Sequence, residues 1–375
     1  MSHTTDIAII GGGVIGLSIA RSLALRGAGD ITLIERGPLG AESSSAAAGM
    51  LAPQAEADSS DEFFQLLCHS RDLYSTFAAA LLSETGTDIE LDTTGTLYLA
   101  FTEHDEDEIG QRYEWQTQAG LSVEQLTSAD ARLLEPSINA DVRAALRFPL
   151  DIQVENRRLV SALADAVNDL GVKLLTETEV HSVTVDRGRV TGLQTSRGSM
   201  SCERVVLAAG CWTGKLTIET LKTIDVEPVR GQMICFATKP QLFRHVIYSP
   251  RGYLVPRRDG RLLAGSTSES AGYAKHVTAG GVSKILENAH EISPSMAGLP
   301  FIDSWAGLRP RAADGLPVMG ACDEIEGLFY ATGHYRNGIL LTPITGELMA
   351  DVIVNRVTSP LLRSFSPNRF NLVTS

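Results

Sequence analysis

Two arginines in this 375-residue chain stand where a fixed positive charge could receive a carboxylate. Arg309 follows Trp305, Gly307 and Leu308 and precedes Pro310, an apolar flank that points to partial burial, and Arg336 lies between Gly333 and Gly338 just ahead of a helical run. A guanidinium is permanently charged and offers a planar fork that pairs both oxygens of a carboxylate, which an ammonium does not. Either arginine could instead form a surface or bridging ion pair, and that reading stays open. Tyr253, in the strand-like YLVP, reads as a core residue or a site residue, and His334 as a loop hydrogen-bonder rather than a base. No His/Asp constellation accompanies these groups, which fits chemistry carried by a cofactor.

The glycines supply the place for one. Gly11, Gly13 and Gly16 fit GxGxxG directly after an apolar run at 6–10 and at the opening of a helical segment at 14–26. In that context the first glycine allows the tight turn, the second lets backbone approach a pyrophosphate, and the third lets helix pack on strand. Glu35 follows the second strand (31–34), 19 residues beyond Gly16, where a carboxylate accepts hydrogen bonds from a ribose diol. Together they predict adenine-dinucleotide binding. Nicotinamide domains keep their contacts in one block, whereas small-residue loops recur here at 43–50 (SSSAAAGM), 208–212 (AAGCW) and 333–340 (GHYRNGIL). Scattered contacts suit the longer FAD. Ala209 and Gly210 end a strand at 205–207, as a cofactor-side turn or a plain one, and the helix after 340 could aim its N-terminus at the flavin pyrimidine edge.

The elements needed to hold these residues can be read from periodicity. After the opening strand–helix–strand comes a helix beyond Pro53 with Phe63, Leu66, Leu67, Leu73, Tyr74, Phe77 and Leu81 on one stripe. Short strands and a helix starting in the acidic run 103–108 follow, then a helix at 159–170, a meander to 209, strand-like segments between 228 and 266, and a last strand (328–332) and helical run to about 355. The expected fold class is α/β, with a Rossmann-like FAD-binding domain (1–88, 151–225, 305–375) interleaved with a mainly antiparallel substrate domain (89–150, 226–304).

Composition narrows the function further. With 32 Lys+Arg against 45 Asp+Glu, a net charge of −13 and no basic block, nucleic acid is an improbable partner. No apolar run reaches the ~18 residues of a membrane span, and the N-terminus has no basic segment, so a cytoplasmic location is expected. The five cysteines show no CxxC and the eight histidines no HxxxH, which predicts reduced thiols and no metal site.

GGGVIG, residues 43–51 (SSSAAAGML), 305–320 (WAGLRPRAADGLPVMG) and 333–343 (GHYRNGILLTP) resemble the D-amino acid oxidase-like flavoproteins, and among them the glycine oxidase branch, nearly end to end. The resemblance implies that Arg309 and Arg336 contact substrate with Tyr253. It implies FAD contacts at Val14, Ile15, Glu35, Arg36, Ser43, Ser44, Ala48, Gly49, Met50, Val180 and the loop His334, Tyr335, Arg336, Asn337, Gly338, Ile339 and Leu340. Two positions depart from the family pattern. Ser268 stands where a bulky residue follows the Gly–small–Thr turn, and Arg251 where a histidine precedes the tyrosine, which marks both as substrate-selecting positions. The implied reaction is oxidation of glycine and other small primary or secondary amino acids by hydride transfer to FAD, then reoxidation by O2 to hydrogen peroxide. The products are an α-keto acid and ammonia or an amine. Also implied are a homotetramer, a part in making the thiazole of thiamine, and non-covalent flavin, since 305–315 carries no cysteine where sarcosine-oxidase relatives attach theirs. A D-amino acid or sarcosine enzyme, a dehydrogenase, and a non-catalytic FAD-binding protein stay open as alternatives.

Overall fold

The computed structural model describes residues 3–218 and 221–372. The chain opens with strand β1 (His3–Ile10), helix α1 (Val14–Leu25) and strand β2 (Ile31–Ile34). Residues 7–10 of β1 and 31–34 of β2 are buried without alternation, as a parallel sheet covered by helices requires. β1 pairs in parallel with β2 on one side and with Gly198–Leu207 on the other. Lys173–Leu175 extends the parallel set beyond β2, and Leu328–Thr332 extends it beyond Gly198–Leu207. The antiparallel meander Val180–Asp186, Arg189–Thr195 and Gly198–Leu207 completes a nine-stranded sheet with Thr217–Ile218 and Val318–Ala321. This is the doubly wound arrangement that the opening unit predicts.

A second sheet of eight strands runs in spatial order Phe301–Ala312, Val226–Ala237, Arg261–Gly265, Gly252–Pro256, Val246–Ser249, Thr96–Ala100, Ala144–Phe148, Glu124–Thr127. All its pairings are antiparallel except Val246–Ser249 with Thr96–Ala100. Helices Glu62–Thr85 and Asn156–Asp169 join α1 and Thr342–Ala350 in one core against the first sheet. Tyr74, wholly buried, donates from its hydroxyl to the Ile339 carbonyl, and Ser18 donates to the Thr342 carbonyl at 2.8 Å. The loop ahead of the last helix is thereby held from behind.

The stripe from Phe63 to Leu81 falls on one helix, Glu62–Thr85, but that helix does not begin at Pro53. A single turn, Pro53–Glu56, stops at Ala57, and the long helix restarts at Glu62 with Asp61 as its cap, accepting the Phe64 N–H at 2.7 Å. Buried Asp151 secures the short turn. Its carboxylate accepts the N–H groups of Ala55 (2.7 Å) and Gln54 (3.3 Å), and the Arg71 guanidinium lies 3.8 Å away. Burial pushes the Asp151 carboxyl up to about 7, against the pull of the Ala55 N–H and Arg71. A carboxyl whose folded pKa lies above its unfolded value favours the folded state while it is protonated, fully below the unfolded value of 3.8 and decreasingly as pH rises through about 7. The wild-type melting temperature should therefore fall more steeply between pH 5 and 8 than that of Asp151→Asn, which has no titration there. Parallel slopes by calorimetry would refute this.

Candidate active site

A cavity of ≈ 340 Å³ opens between the carboxyl ends of the parallel strands and one face of the antiparallel sheet. Such ends are where open α/β sheets receive ligands. Glycine spacing shapes the turn that forms its wall. Gly11 has φ +113°, and a Cβ there would run into the Ala208 carbonyl oxygen; one at Gly16 would strike the Gly11 carbonyl oxygen. Gly16 is therefore a packing glycine behind the wall. Gly12, which the motif leaves unspecified, is as tightly enclosed, by Leu39 and Glu35. The Glu35 carboxylate accepts the Gly12 N–H at 2.7 Å and the Gly37 N–H at 3.0 Å. Ser44 Oγ accepts the Val14 N–H at 3.1 Å, locking the small-residue segment to the start of α1.

Of the residues expected at the cofactor, Gly11, Gly13, Val14, Ile15, Glu35, Arg36, Ser43, Ser44, Ala48, Gly49, Met50, Val180, Ala209, Gly210 and 334–339 line this cavity. Leu340 does not: its side chain is core, and its carbonyl accepts from Ser70 Oγ at 2.6 Å. His334 is buried, which pushes its pKa down to about 3, so the ring is neutral at ordinary pH and Nε2 shares a 3.1 Å hydrogen bond with Thr345 Oγ1. It cannot serve as a cationic group.

The three expected substrate contacts Arg309, Arg336 and Tyr253 face the same cavity, in different states. Arg309 Nη1 donates to the Thr267 carbonyl at 3.1 Å and Nη2 to Ser266 Oγ at 2.7 Å. Among the described residues no carboxylate pairs with it. Its guanidinium lies flat against Gly231, where a Cβ would overlap it. Arg336, in contrast, gives Nη2 (2.9 Å) and Nε (3.3 Å) to the two oxygens of Glu56, and Nη2 also reaches Tyr248 Oη at 3.3 Å. Tyr253 is 6% exposed, and its hydroxyl donates to Met233 Sδ at 3.3 Å.

Arg251 and Ser268, expected as substrate-selecting positions, do not line the cavity. Arg251 lies in the turn before Gly252–Pro256, where no strand alternation aims it inward, and Asp105 and Glu291 (3.0 Å) draw its guanidinium away from the cavity. Ser268 is exposed on the outer side of the segment whose neighbour Thr267 supports Arg309. Gly231, Ser266, Thr267 and Glu56 carry no individual signal in the sequence, although the Gly–Ser–Thr turn at 265–267 contains Ser266 and Thr267, and Trp212 lies at the end of the 208–212 loop. Among the described residues no metal-binding cluster occurs, the five cysteines are free thiols, and no helix is long and apolar enough to cross a membrane.

Residues 6–352 match the family model described as FAD dependent oxidoreductase. The chain is 38% identical to a glycine oxidase of Geobacillus kaustophilus (strain HTA426) over 98% of each chain. A crystal structure of glycine oxidase from Geobacillus kaustophilus superposes with a TM-score of 0.94 at 36% identity, covering 99% of this chain and 100% of that one. A bifunctional protein ThiO/ThiG of Synechocystis sp. (strain ATCC 27184 / PCC 6803 / Kazusa) is 36% identical over the whole chain and 55% of its own length.

The chain belongs to the FAD-dependent oxidoreductases. The walls fit the cofactor of that family. The N-cap residue of α1 is Gly13, which has no side chain to cap the helix, and Ser44 takes only the Val14 N–H, so the other first-turn N–H groups and the positive end of the helix could meet a pyrophosphate beside glycines that add no side chain. Glu35 stands ready for the ribose, already oriented by two backbone donors. Arg36 stacks 3.8 Å above the Trp212 ring and pairs with Glu42 at 2.8 Å, a cation–aromatic wall beside it. Glu35→Gln would turn an amide NH2 toward either the Gly12 or the Gly37 N–H, setting donor against donor. With a charge-assisted bond worth about 1.5–3 kcal/mol also lost, FAD affinity should fall at least about tenfold in titrations of apoprotein; unchanged affinity would place the ribose elsewhere.

Proposed function

We propose that the protein oxidatively deaminates glycine and other small primary or secondary amino acids, giving an α-keto acid (glyoxylate from glycine), ammonia or an amine, and hydrogen peroxide. The observation that carries this reading is Arg309. A half-buried guanidinium held only by neutral acceptors keeps its charge for a ligand, and it shares a cavity with the dinucleotide-binding turn. The names of the relatives support glycine as the substrate. Bound FAD would supply the two-electron acceptor for the α-carbon hydride, and O2 the final oxidant.

The chain's own groups bind and orient. Arg309 receives the carboxylate through its outward edge, while Ser266 and Thr267 hold its inner one. Tyr253 can turn its hydroxyl from Met233 to the same carboxylate. Arg336, whose fork Glu56 already holds, contributes wall rather than the main carboxylate contact. No side-chain base is assigned, in keeping with a neutral His334. The likeness to ThiO/ThiG supports a supply of oxidised glycine to the thiazole of thiamine, and a homotetramer is the assembly we adopt from the family. No cysteine lines the cavity among the described residues, which supports non-covalent flavin.

Acid or heat should release a yellow flavin from purified protein; colour that stays with the precipitate would contradict non-covalent binding. Anaerobic mixing with glycine, sarcosine, D-alanine and D-proline should bleach the bound flavin, glycine at least as well as the others. Bleaching by none would leave a non-catalytic flavoprotein. Arg309→Lys keeps charge but loses the fork. Truncating one partner of a buried charge pair costs about 2–5 kcal/mol, so this milder change should cost at least ~1.4 kcal/mol, a factor of ten in kcat/KM for glycine. An amine without a carboxylate should hardly notice. Equal losses for both, with a lower melting temperature, would make Arg309 a structural bridge instead.

A further inference from the structure

Arg309 is held by a segment that is itself tied down at one point. After strand Arg261–Gly265 the chain runs along Val226–Ala237 as a strap. Arg230 and Glu269 exchange backbone hydrogen bonds of 2.9 and 3.0 Å, and the Gln232 N–H donates to Thr267 Oγ1 at 2.9 Å. The two groups that bond Arg309, Ser266 Oγ and the Thr267 carbonyl, both belong to this strap. At its centre is the Glu269 carboxylate. One oxygen accepts the Thr267 hydroxyl and Gln232 Nε2 (2.7 Å), and the other accepts Arg230 Nη2. Gln232, wholly buried, passes the restraint on: its Oε1 accepts the Thr278 N–H at 2.8 Å, and Thr278 Oγ1 caps helix Ala279–Ile292. Arg230, also buried, donates Nη1 to the His276 carbonyl at 3.3 Å.

We propose that Glu269 is a positioning residue for the substrate-binding arginine: by holding the Thr267 hydroxyl on one side and Arg230 on the other, it turns the Thr267 carbonyl toward Arg309 and fixes the fork in its receiving pose. The inference rests on the reading of Arg309 as the carboxylate clamp. Physical chemistry favours the division of labour. A carboxylate beside Arg309 itself would neutralise it and compete with substrate, as Glu56 does at Arg336. Set one residue further out and neutralised by Arg230, Glu269 exerts the orienting force through a neutral carbonyl and leaves the charge of Arg309 available. Partial burial works to raise the Glu269 carboxyl, but hydrogen bonds from Thr267, Arg230 and Gln232 hold it below the usual range, so it stays ionised wherever the enzyme would work. Gly231 completes the cradle from below, since any side chain there would displace the guanidinium.

The test uses the flavin-loaded protein and acetate, a carboxylate with no amine to oxidise, whose binding is read from the perturbed flavin spectrum. Glu269→Gln should weaken acetate binding and raise the KM for glycine at least about fivefold, with kcat changed less and flavin content near wild type, while the melting temperature falls because buried Arg230 loses its carboxylate. Thr267→Val, which deletes only the hydroxyl link, should behave like Glu269→Gln. Thr267→Ser, which keeps the link, should restore near wild-type binding. In an Arg309→Met background Glu269→Gln should add no further loss, because non-additivity is the mark of two residues acting through one contact. Should Glu269→Gln fold poorly, Thr267→Val against Thr267→Ser carries the comparison. Wild-type acetate affinity in Glu269→Gln and Thr267→Val, with loss in Arg309→Met, would overturn the positioning role and leave the clamp standing. Wild-type affinity in Arg309→Met would overturn the clamp reading and this inference with it.

Discussion

Everything at this site depends on how closely backbone is allowed to approach backbone at the end of β1. Gly11 rests against the Ala208 carbonyl and Gly16 against the Gly11 carbonyl, with no room for a Cβ at either place. That contact draws α1 onto the sheet with a glycine at its N-cap and, apart from the Val14 N–H that Ser44 takes, its first turn facing the gap beyond the strands. A helix start without a side-chain cap leaves N–H groups in want of partners, which a folded protein tolerates where a ligand anion or water supplies them. The carboxylate of Glu35 is oriented by the same turn through Gly12, so the groups that would face a phosphate and a ribose are set by one piece of backbone.

The second sheet supplies the rest of the cavity because its long strands lie across those ends. Val226–Ala237 and Phe301–Ala312 pair over eleven positions, bringing Gly231 beside Gly307 and Val229 beside Arg309. Ser43 reaches across to the Leu308 carbonyl, and Trp305 donates to the Ala46 carbonyl at 2.9 Å, so the small-residue segment is bonded to both the dinucleotide turn and the antiparallel sheet. Small side chains from 43 to 50 are what let that segment pass between the two sheets, and a Cβ at Gly307 would already collide with Ala46.

Local signals made part of this readable. The strand–glycine–helix–strand opening, Glu35, the apolar flank of Arg309 and the strand-like YLVP that makes Tyr253 a core or site residue all follow from spacing within a few residues. Partners brought together by the tertiary fold do not. Thr267 and Ser266 lie 42 and 43 residues before Arg309, and Glu56 lies 280 before Arg336. The two misplaced positions show the same limit. Arg251 shares parity with Tyr253 but belongs to a turn, where alternation no longer holds; Ser268 sits between two inward residues, and alternation turns it outward. Leu340 is one residue past the wall, facing the core that Tyr74 and Ser70 close. Likewise the break at 57–61 carried no helix-periodic warning, since its apolar residues lie beyond it.

Three guanidiniums near the cavity show how the fold apportions positive charge. Arg257 is buried, and burial pushes its pKa down to about 10, so it remains charged. It donates to the carbonyls of Ala48 (2.6 Å) and Val154 (2.9 Å) and to Gln153 Oε1 (2.9 Å), which makes it a brace for the backbone of 48–50. Arg336 is compensated by Glu56 and so adds shape with little net charge. Arg309 alone of the three both faces the cavity and lacks a carboxylate among the described residues. A buried charge left unpaired is costly unless its donors are satisfied, and the hydroxyl of Ser266 and the carbonyl of Thr267 satisfy the inner donors without cancelling the charge. A ligand carboxylate in the cavity that Arg309 lines would then meet a group whose desolvation has been met in part during folding. On the proposed reading of Arg309 as the carboxylate clamp, that arrangement would favour an amine that carries a carboxylate, because an amine without one would enter the same space and leave the charge uncompensated.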